Sequence, residues 1–165
     1  MIPLRAFTLA ALAMAGVPPG TAAPSHCATG ERVVFSCETG TKTVSVCASD
    51  TLSSSGGTLR YRFGPMGQPE ITYPPEDAWR DVTRAGRWTF SGGGGAWLAF
   101  NRPPFRYVVY TAIGRGWGEK AGVAVEKDGS LLTNIPCRGT PISELGPDFF
   151  TSAGIADDTA PFDVP

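Results

Sequence analysis

Apolar and polar residues alternate in short runs along most of the chain. In the run 31–38 (ERVVFSCE), Val33, Phe35 and Cys37 fall on one face, and the run 41–49 alternates in the same way. Because successive side chains of a β-strand point to opposite faces, a period of two in β-branched residues predicts strands. The same pattern recurs in further runs at 58–64, 69–74, 87–91, 95–101, 104–114, 119–129 and 130–137.

Turn-forming residues separate these runs. The pair at 128–129 is Asp-Gly, which is typical of a type I′ turn in a β-hairpin. No amphipathic helical pattern precedes residue 140. Seven to nine short strands at regular spacing predict an all-β fold, either a small antiparallel barrel or a sandwich of about eight strands.

The start of the chain has the pattern of a secretory signal peptide. Arg5 supplies one positive charge, the run 6–17 is apolar, and small residues lead to a cleavage site near Ala22 or Ala23. The apolar run is shorter than the ~20 residues of a membrane span, so we expect a mature chain that does not insert into a membrane and lies in the periplasm or is secreted. The predicted segments are a signal peptide at 1–22, a β-domain at 23–140 and an acidic, partly disordered tail at 141–165.

The tail contains two adjacent aromatic residues in an otherwise polar segment. We expect Phe149 and Phe150 to pack back onto the β-domain. The residues beyond Ile155 are rich in Asp, Ala, Thr and Pro, a composition typical of disorder.

Charge and residue types argue against several classes of function. The chain carries 14 basic and 15 acidic side chains, which is not the excess of positive charge typical of nucleic-acid binding. His26 is the single histidine, and the chain has no C-x-x-C pair and no nucleophile motif, so we expect no metal, no cofactor and no enzymatic activity. Glu76, Asp77 and Asp81 could form a carboxylate set of the kind used by glycosidases, but their spacing also fits surface charge on a loop or helical turn.

The four cysteines predict disulfides, because their number is even and the chain is predicted to be exported. If the first hairpin turns on residues 40 and 41, Cys37 and Cys47 point to opposite faces of the ribbon. Cys37 then pairs with Cys137, and Cys27 is left for Cys47. A longer turn would change the parity, and a bond between Cys37 and Cys47 is the alternative.

Three motifs together carry a resemblance to a known family. They are the strand Phe35-Ser36-Cys37, the loop 91–97 (SGGGGAW), and the hairpin KDGSLLTNIPC that ends at Cys137. In this combination the chain resembles the bacterial periplasmic and membrane-bound inhibitors of c-type lysozyme. The segments CATGERVVFSC, VSVCAS and YRFG are also similar to uncharacterised exported proteins of Gram-negative bacteria.

The resemblance to lysozyme inhibitors implies an eight-stranded antiparallel barrel closed by a disulfide. It also implies that a serine from an S-G-x-x-Y loop and a basic residue from a following strand enter the lysozyme cleft. Ser91 and Gly92 match the first two positions of that loop, whereas the aromatic residue comes later, at Trp97. Arg102 and Arg106 follow the loop and are the candidate basic residues. The glycines of this stretch equally fit a flexible hairpin connection.

The tryptophans support a second binding hypothesis, in which the ligand is cell-wall glycan. Trp117 lies in a glycine-rich, polar segment and is the best candidate for an exposed aromatic on which a sugar ring could stack. Trp88 and Trp97 lie in alternating runs and are predicted to belong to the core. We therefore expect a non-enzymatic binding protein of the cell envelope whose ligand the sequence leaves open. Inhibition of a c-type lysozyme and binding of peptidoglycan or another glycan are the two alternatives.

Overall fold

The computed structural model describes residues 24–75 and 78–165. The predicted signal peptide and its cleavage site lie outside these residues, as do Glu76 and Asp77 of the carboxylate set. Neither helix in the described ranges is long and apolar enough to cross a membrane.

Ten strands and two short helices make up the described structure. The strands are β1 (Glu31–Glu38), β2 (Thr43–Ser49), β3 (Leu59–Gly64), β4 (Ile71–Tyr73), β5 (Thr83–Phe90), β6 (Gly93–Arg102), β7 (Phe105–Gly114), β8 (Gly118–Lys127), β9 (Ser130–Pro136) and β10 (Arg138–Ser143). The helices are α1 (Trp79–Val82) and α2 (Pro147–Ala153).

The strands form two antiparallel sheets of five strands each. Sheet 1 has the order β10-β1-β2-β3-β4, and sheet 2 has the order β5-β6-β7-β8-β9. The all-β prediction is confirmed, and of its two architectures the chain adopts the sandwich. The structure has two strands more than the eight expected, and β10 crosses the predicted boundary at residue 140.

One apolar core fills the space between the two sheets. Its buried side chains come from the inner faces of both sheets, so each sheet covers the apolar face of the other. Its members include Phe35, Val44, Val46, Leu59, Tyr61, Leu98, Phe100, Val109 and Val123.

A β-bulge in β1 changes which side chains reach this core. The register between β1 and β2 shifts between Val33 and Phe35. Val34 and Phe35 both belong to the core, whereas Val33 is only half-buried. The prediction that Val33 shares the core face with Phe35 was wrong, because a bulge inserts one residue into the alternation.

The structure confirms the preferred disulfide pairing. Cys37 lies opposite Val44 in the first hairpin, as a turn on residues 40 and 41 requires. Cys37 is bonded to Cys137, and Cys27 is bonded to Cys47. No cysteine is free. The cluster of Cys27, Glu31 and Cys47 therefore offers no thiolate to a metal, because its two sulfurs are bonded to each other.

The N-terminal strap, residues 24–28, covers the outer face of sheet 1. The Ser36 hydroxyl donates to the Pro24 carbonyl oxygen at 2.8 Å, and Arg62 donates to the His26 carbonyl oxygen at 2.9 Å. Arg62 also forms an ion pair with Glu31. Burial acts to raise the pKa of the Glu31 carboxyl, but the hydrogen bonds from Arg62 and from the Ala28 amide bring it below its usual value.

The C-terminal residues return to the sandwich. Phe149 and Phe150 of α2 are buried in the core, as expected. The C-terminal strap, residues 155–165, lies on sheet 2, where the Ala85 amide donates to the Ala156 carbonyl oxygen at 3.0 Å. Phe162 is buried among the aromatic residues of the outer face. This arrangement differs from the disordered segment expected beyond Ile155, because Phe162 supplies an apolar contact that overall composition does not reveal.

The two disulfides should differ in what they contribute to stability. We expect the double variant C37S/C137S to lose about 4.7 kcal/mol of unfolding free energy and C27S/C47S about 3 kcal/mol, because longer loops lose more entropy on closure. Urea unfolding followed by tryptophan fluorescence measures both. A larger loss for the Cys27–Cys47 pair would contradict this expectation.

Candidate functional site

Two tight turns lie side by side at one end of sheet 2. Ser91 and Gly92 connect β5 to β6, and residues 115–117 connect β7 to β8. Gly92 has a φ of +85°, a conformation that favours glycine in a two-residue hairpin turn. The Arg115 amide donates to the Gly92 carbonyl oxygen at 3.1 Å, which holds the two turns together.

The glycine run after Ser91 is mostly strand rather than loop. Gly93, Gly94 and Gly95 belong to β6 and are paired with β5 on one side and β7 on the other. Only Ser91 and Gly92 form the turn. Residues 91–92 are thus the hairpin connection, as the glycine content allowed, but it is a short turn closed by the pairing of Phe90 with Gly93 and does not extend through the glycine run.

Trp117 is the exposed aromatic of this end, as predicted. Its side chain is 41% exposed. The indole packs directly on Gly114, where an added Cβ would come within 2.3 Å of it. The Phe90 ring meets it edge-on with 6.0 Å between centroids, and the Lys120 Nζ lies 5.4 Å from the indole centroid.

These residues surround an open pocket of about 410 Å³ on the outer face of sheet 2, which we name the tip pocket. Its aromatic surface comes from Trp88, Phe90 and Trp117. Its polar and charged side chains are those of Ser91, Arg115, Lys120 and Asp163. The tip pocket therefore combines an aromatic wall, a hydroxyl, two cations and one carboxylate.

Some polar side chains of the tip pocket are already hydrogen-bonded within the protein, and others are not. The Lys120 ammonium donates to the Pro165 carbonyl oxygen at 2.6 Å. Within the described ranges, the Ser91 hydroxyl and the Arg115 guanidinium make no hydrogen bond or ion pair through their side chains. They are the groups that a ligand could engage without breaking an internal contact.

An aromatic cluster supports the tip pocket from below. Trp88 packs against Trp97 with 4.6 Å between centroids and a tilt of 40° between the rings, and its indole N–H donates to the Phe162 carbonyl oxygen at 2.7 Å. Trp97 is only 7% exposed, and its N–H donates to the Asp158 carboxylate at 3.3 Å. Trp97 is thus a buried residue beneath the C-terminal strap and is not available to bind a partner.

Arg106 links the C-terminal strap to sheet 2. It forms ion pairs with Glu126 on β8 and with Asp158 on the C-terminal strap. Burial acts to lower the pKa of the guanidinium, but the hydrogen bonds and charges of these two carboxylates raise it above its usual value. Arg106 is therefore held as a cation between two anions and does not point at the tip pocket.

Arg102 lies at the opposite end of sheet 2. Arg102 lies nine positions after Gly93 along β6, which is about 30 Å at the usual rise of a strand. The Arg102 guanidinium stands 5.5 Å from the Tyr73 ring centroid. The structure thus does not bring Ser91 together with Arg102 or Arg106.

The cations beside Ser91 are Arg115 and Lys120, which the sequence analysis missed. The sequence feature that could have predicted Arg115 is the register of the β6–β7 hairpin. The turn of this hairpin at residues 103–104 places Gly93 opposite Gly114, so the residue after Gly114 falls beside the Ser91-Gly92 turn. Counting this register from the turn would have found Arg115.

No family model matches the chain, and neither does a curated protein or a solved structure. The resemblance to lysozyme inhibitors and to exported proteins therefore stays a prediction. The chemistry of the tip pocket is the remaining basis for a functional proposal.

Gly114 should be essential for the position of Trp117. We expect G114A to displace the indole from β7 and to cost about 1–3 kcal/mol of stability, because the added methyl overlaps the ring. Acrylamide quenching of tryptophan fluorescence should increase. G56A is the matched control, since the Cβ it adds meets nothing closer than the Ser53 Oγ at 3.8 Å. Unchanged quenching in G114A would contradict the packing.

Proposed function

We propose that this protein is a non-enzymatic binding protein of the cell envelope, periplasmic or secreted, and that its tip pocket binds cell-wall glycan. The observation that carries the proposal is the exposed indole of Trp117, with Ser91, Arg115 and Lys120 around it.

The groups of the tip pocket match the chemistry of an anionic glycan. The apolar C–H face of a sugar ring packs on an indole, and the Trp117 indole is accessible to solvent. Peptidoglycan carries carboxylates, which a guanidinium such as that of Arg115 can bind through charge-assisted hydrogen bonds. The Ser91 hydroxyl can donate to or accept from a sugar hydroxyl.

Size and rigidity also favour a small saccharide ligand. The volume of about 410 Å³ lies within the ~300–1,000 Å³ range of small-ligand pockets. Gly114, Phe90 and Lys120 contact the Trp117 ring, so its orientation is largely set before a ligand arrives. A preorganised side chain loses little conformational entropy on binding.

A non-enzymatic role fits the acidic groups of the site. Asp163 is the single carboxylate among the described residues that line the tip pocket. Glycoside hydrolysis ordinarily requires two carboxyl groups on either side of the bond that is cleaved.

Sedimentation with insoluble peptidoglycan tests the proposal. The wild type should sediment with the polymer, and W117A should weaken retention by about threefold to tenfold, because it removes the stacking surface. M66A is the control, since Met66 is 48% exposed and lies on sheet 1's side of the molecule, away from the tip pocket. Failure of the wild type to sediment, or equal retention of W117A, would refute glycan binding at this site.

A second candidate function is inhibition of c-type lysozyme. The observation that favours it is the pair formed by the Ser91 hydroxyl and the Arg115 guanidinium on two adjoining, exposed turns. A lysozyme cleft holds two carboxyl groups, one with a raised pKa, so an inserted segment needs hydrogen-bond donors and a cation at close range. Arg115 takes the role that the resemblance assigns to Arg102 or Arg106.

Lysis of bacterial cells by a c-type lysozyme distinguishes these arginines. If the protein inhibits, S91A and R115A should each weaken inhibition by about tenfold or more, because each removes a group at the centre of the contact. R102A should inhibit like the wild type, since Arg102 lies at the far end of β6. Full lysis in the presence of the wild-type protein would exclude this second function.

A further inference from the structure

We propose that the cleft between the two sheets is a second binding site, for a single alkyl or acyl chain whose head group carries an ammonium. The inter-sheet cleft has a volume of about 560 Å³ and lies on the inner face of sheet 2, behind the tip pocket. The ends of β6, β7 and β8 form its floor, and β10 with the segment leading to α2 forms its wall.

The inter-sheet cleft exists because inward-facing side chains become small at this end. Along β6, Leu98 and Phe100 fill the core, but Ala96 and Gly94 follow on the same face. Across the sheet, Ala96 lies opposite Thr111 of β7, and Thr111 lies opposite Ala121 of β8, so this row of the floor carries small side chains. The inter-sheet cleft is open to solvent, since most of the residues that line it are half-buried or exposed.

The lining of the inter-sheet cleft favours a hydrocarbon. The backbone of the β6 floor is paired with β5 on one side and β7 on the other, so its polar groups are already satisfied within the sheet. Pro141, Leu145 and Pro147 give the opposite wall apolar surface, and the hydroxyls of Thr140 and Ser143 lie among them. An alkyl chain that covers this apolar surface gains by leaving water.

The mouth of the inter-sheet cleft specifies the head group. Ile113 is 55% exposed there and extends the apolar surface to the solvent boundary. Glu119 stands opposite Ile113 in the register of β7 and β8, and within the described part of the chain its carboxylate makes no ion pair. The neighbouring Lys120 alternates to the outer face of β8, where its ammonium lies 5.4 Å from the Trp117 ring centroid and donates to the Pro165 oxygen. The charge that faces the mouth is therefore the carboxylate of Glu119, which complements an ammonium.

Calorimetric titration with dodecyltrimethylammonium, below its micelle concentration, tests the site. A121L places a larger side chain on the floor and should weaken binding by about tenfold or more. I113S shortens the apolar lip and should weaken binding by about threefold, and because Ile113 is exposed this variant keeps the fold. M66S, an exposed apolar residue elsewhere, is the control and should bind like the wild type.

Dodecanoate has the same number of chain carbons and a carboxylate head group, so it tests which head-group charge the cleft prefers. The wild type should prefer the ammonium probe by about twofold to fivefold, and E119Q should abolish the preference. Absence of binding by the wild type, or equal binding by wild type, A121L and I113S, would overturn the site. Equal or tighter binding of dodecanoate would overturn the head-group assignment. No glycan enters these titrations, so their outcome is independent of peptidoglycan binding.

Discussion

The bond between Cys37 and Cys137 is the constraint on which the rest of the sandwich depends. It joins β1 of sheet 1 to the point at which the chain leaves β9 of sheet 2, and the two cysteines are 100 positions apart in the sequence. β10 begins at the next residue and pairs with β1, a contact whose closure is entropically costly without a cross-link. This passage of the chain from sheet 2 to sheet 1 also positions α2, which closes the core. It positions the wall of the inter-sheet cleft as well.

Small residues at one end of sheet 2 make room for the two proposed binding regions, one on each face of the sheet. Gly114 lets the Trp117 indole pack against the outer face of sheet 2, while Gly94 and Ala96 leave space on the inner face of the same end. The C-terminal strap determines which aromatic residues stay exposed. The C-terminal strap covers the aromatic cluster through Phe162 and stops at the edge of the tip pocket, so Trp117 is the tryptophan that remains exposed.

Local patterns predicted the features that depend on neighbouring residues. Alternation indicated the all-β class, the parity of the first hairpin indicated both disulfides, and glycine-rich surroundings indicated that Trp117 is exposed. Features that depend on distant contacts were missed. The bulge beside Val33 leaves no mark in the alternation, and the docking of Phe162 depends on side chains more than 50 residues away. The placement of Arg115 next to Ser91 required the register of a whole hairpin.

Glycan binding at the tip pocket is tested most directly by following the four tryptophan indole N–H signals in ¹⁵N NMR while soluble peptidoglycan fragments are added. Three of the indoles donate to oxygens of the protein, those of Trp79, Trp88 and Trp97. Trp117 has no such partner among the described residues. We predict that the Trp117 signal moves most, that Trp88 moves less, and that Trp79 and Trp97 stay in place. A stationary Trp117 signal, or equal shifts of all four, would contradict binding at this pocket.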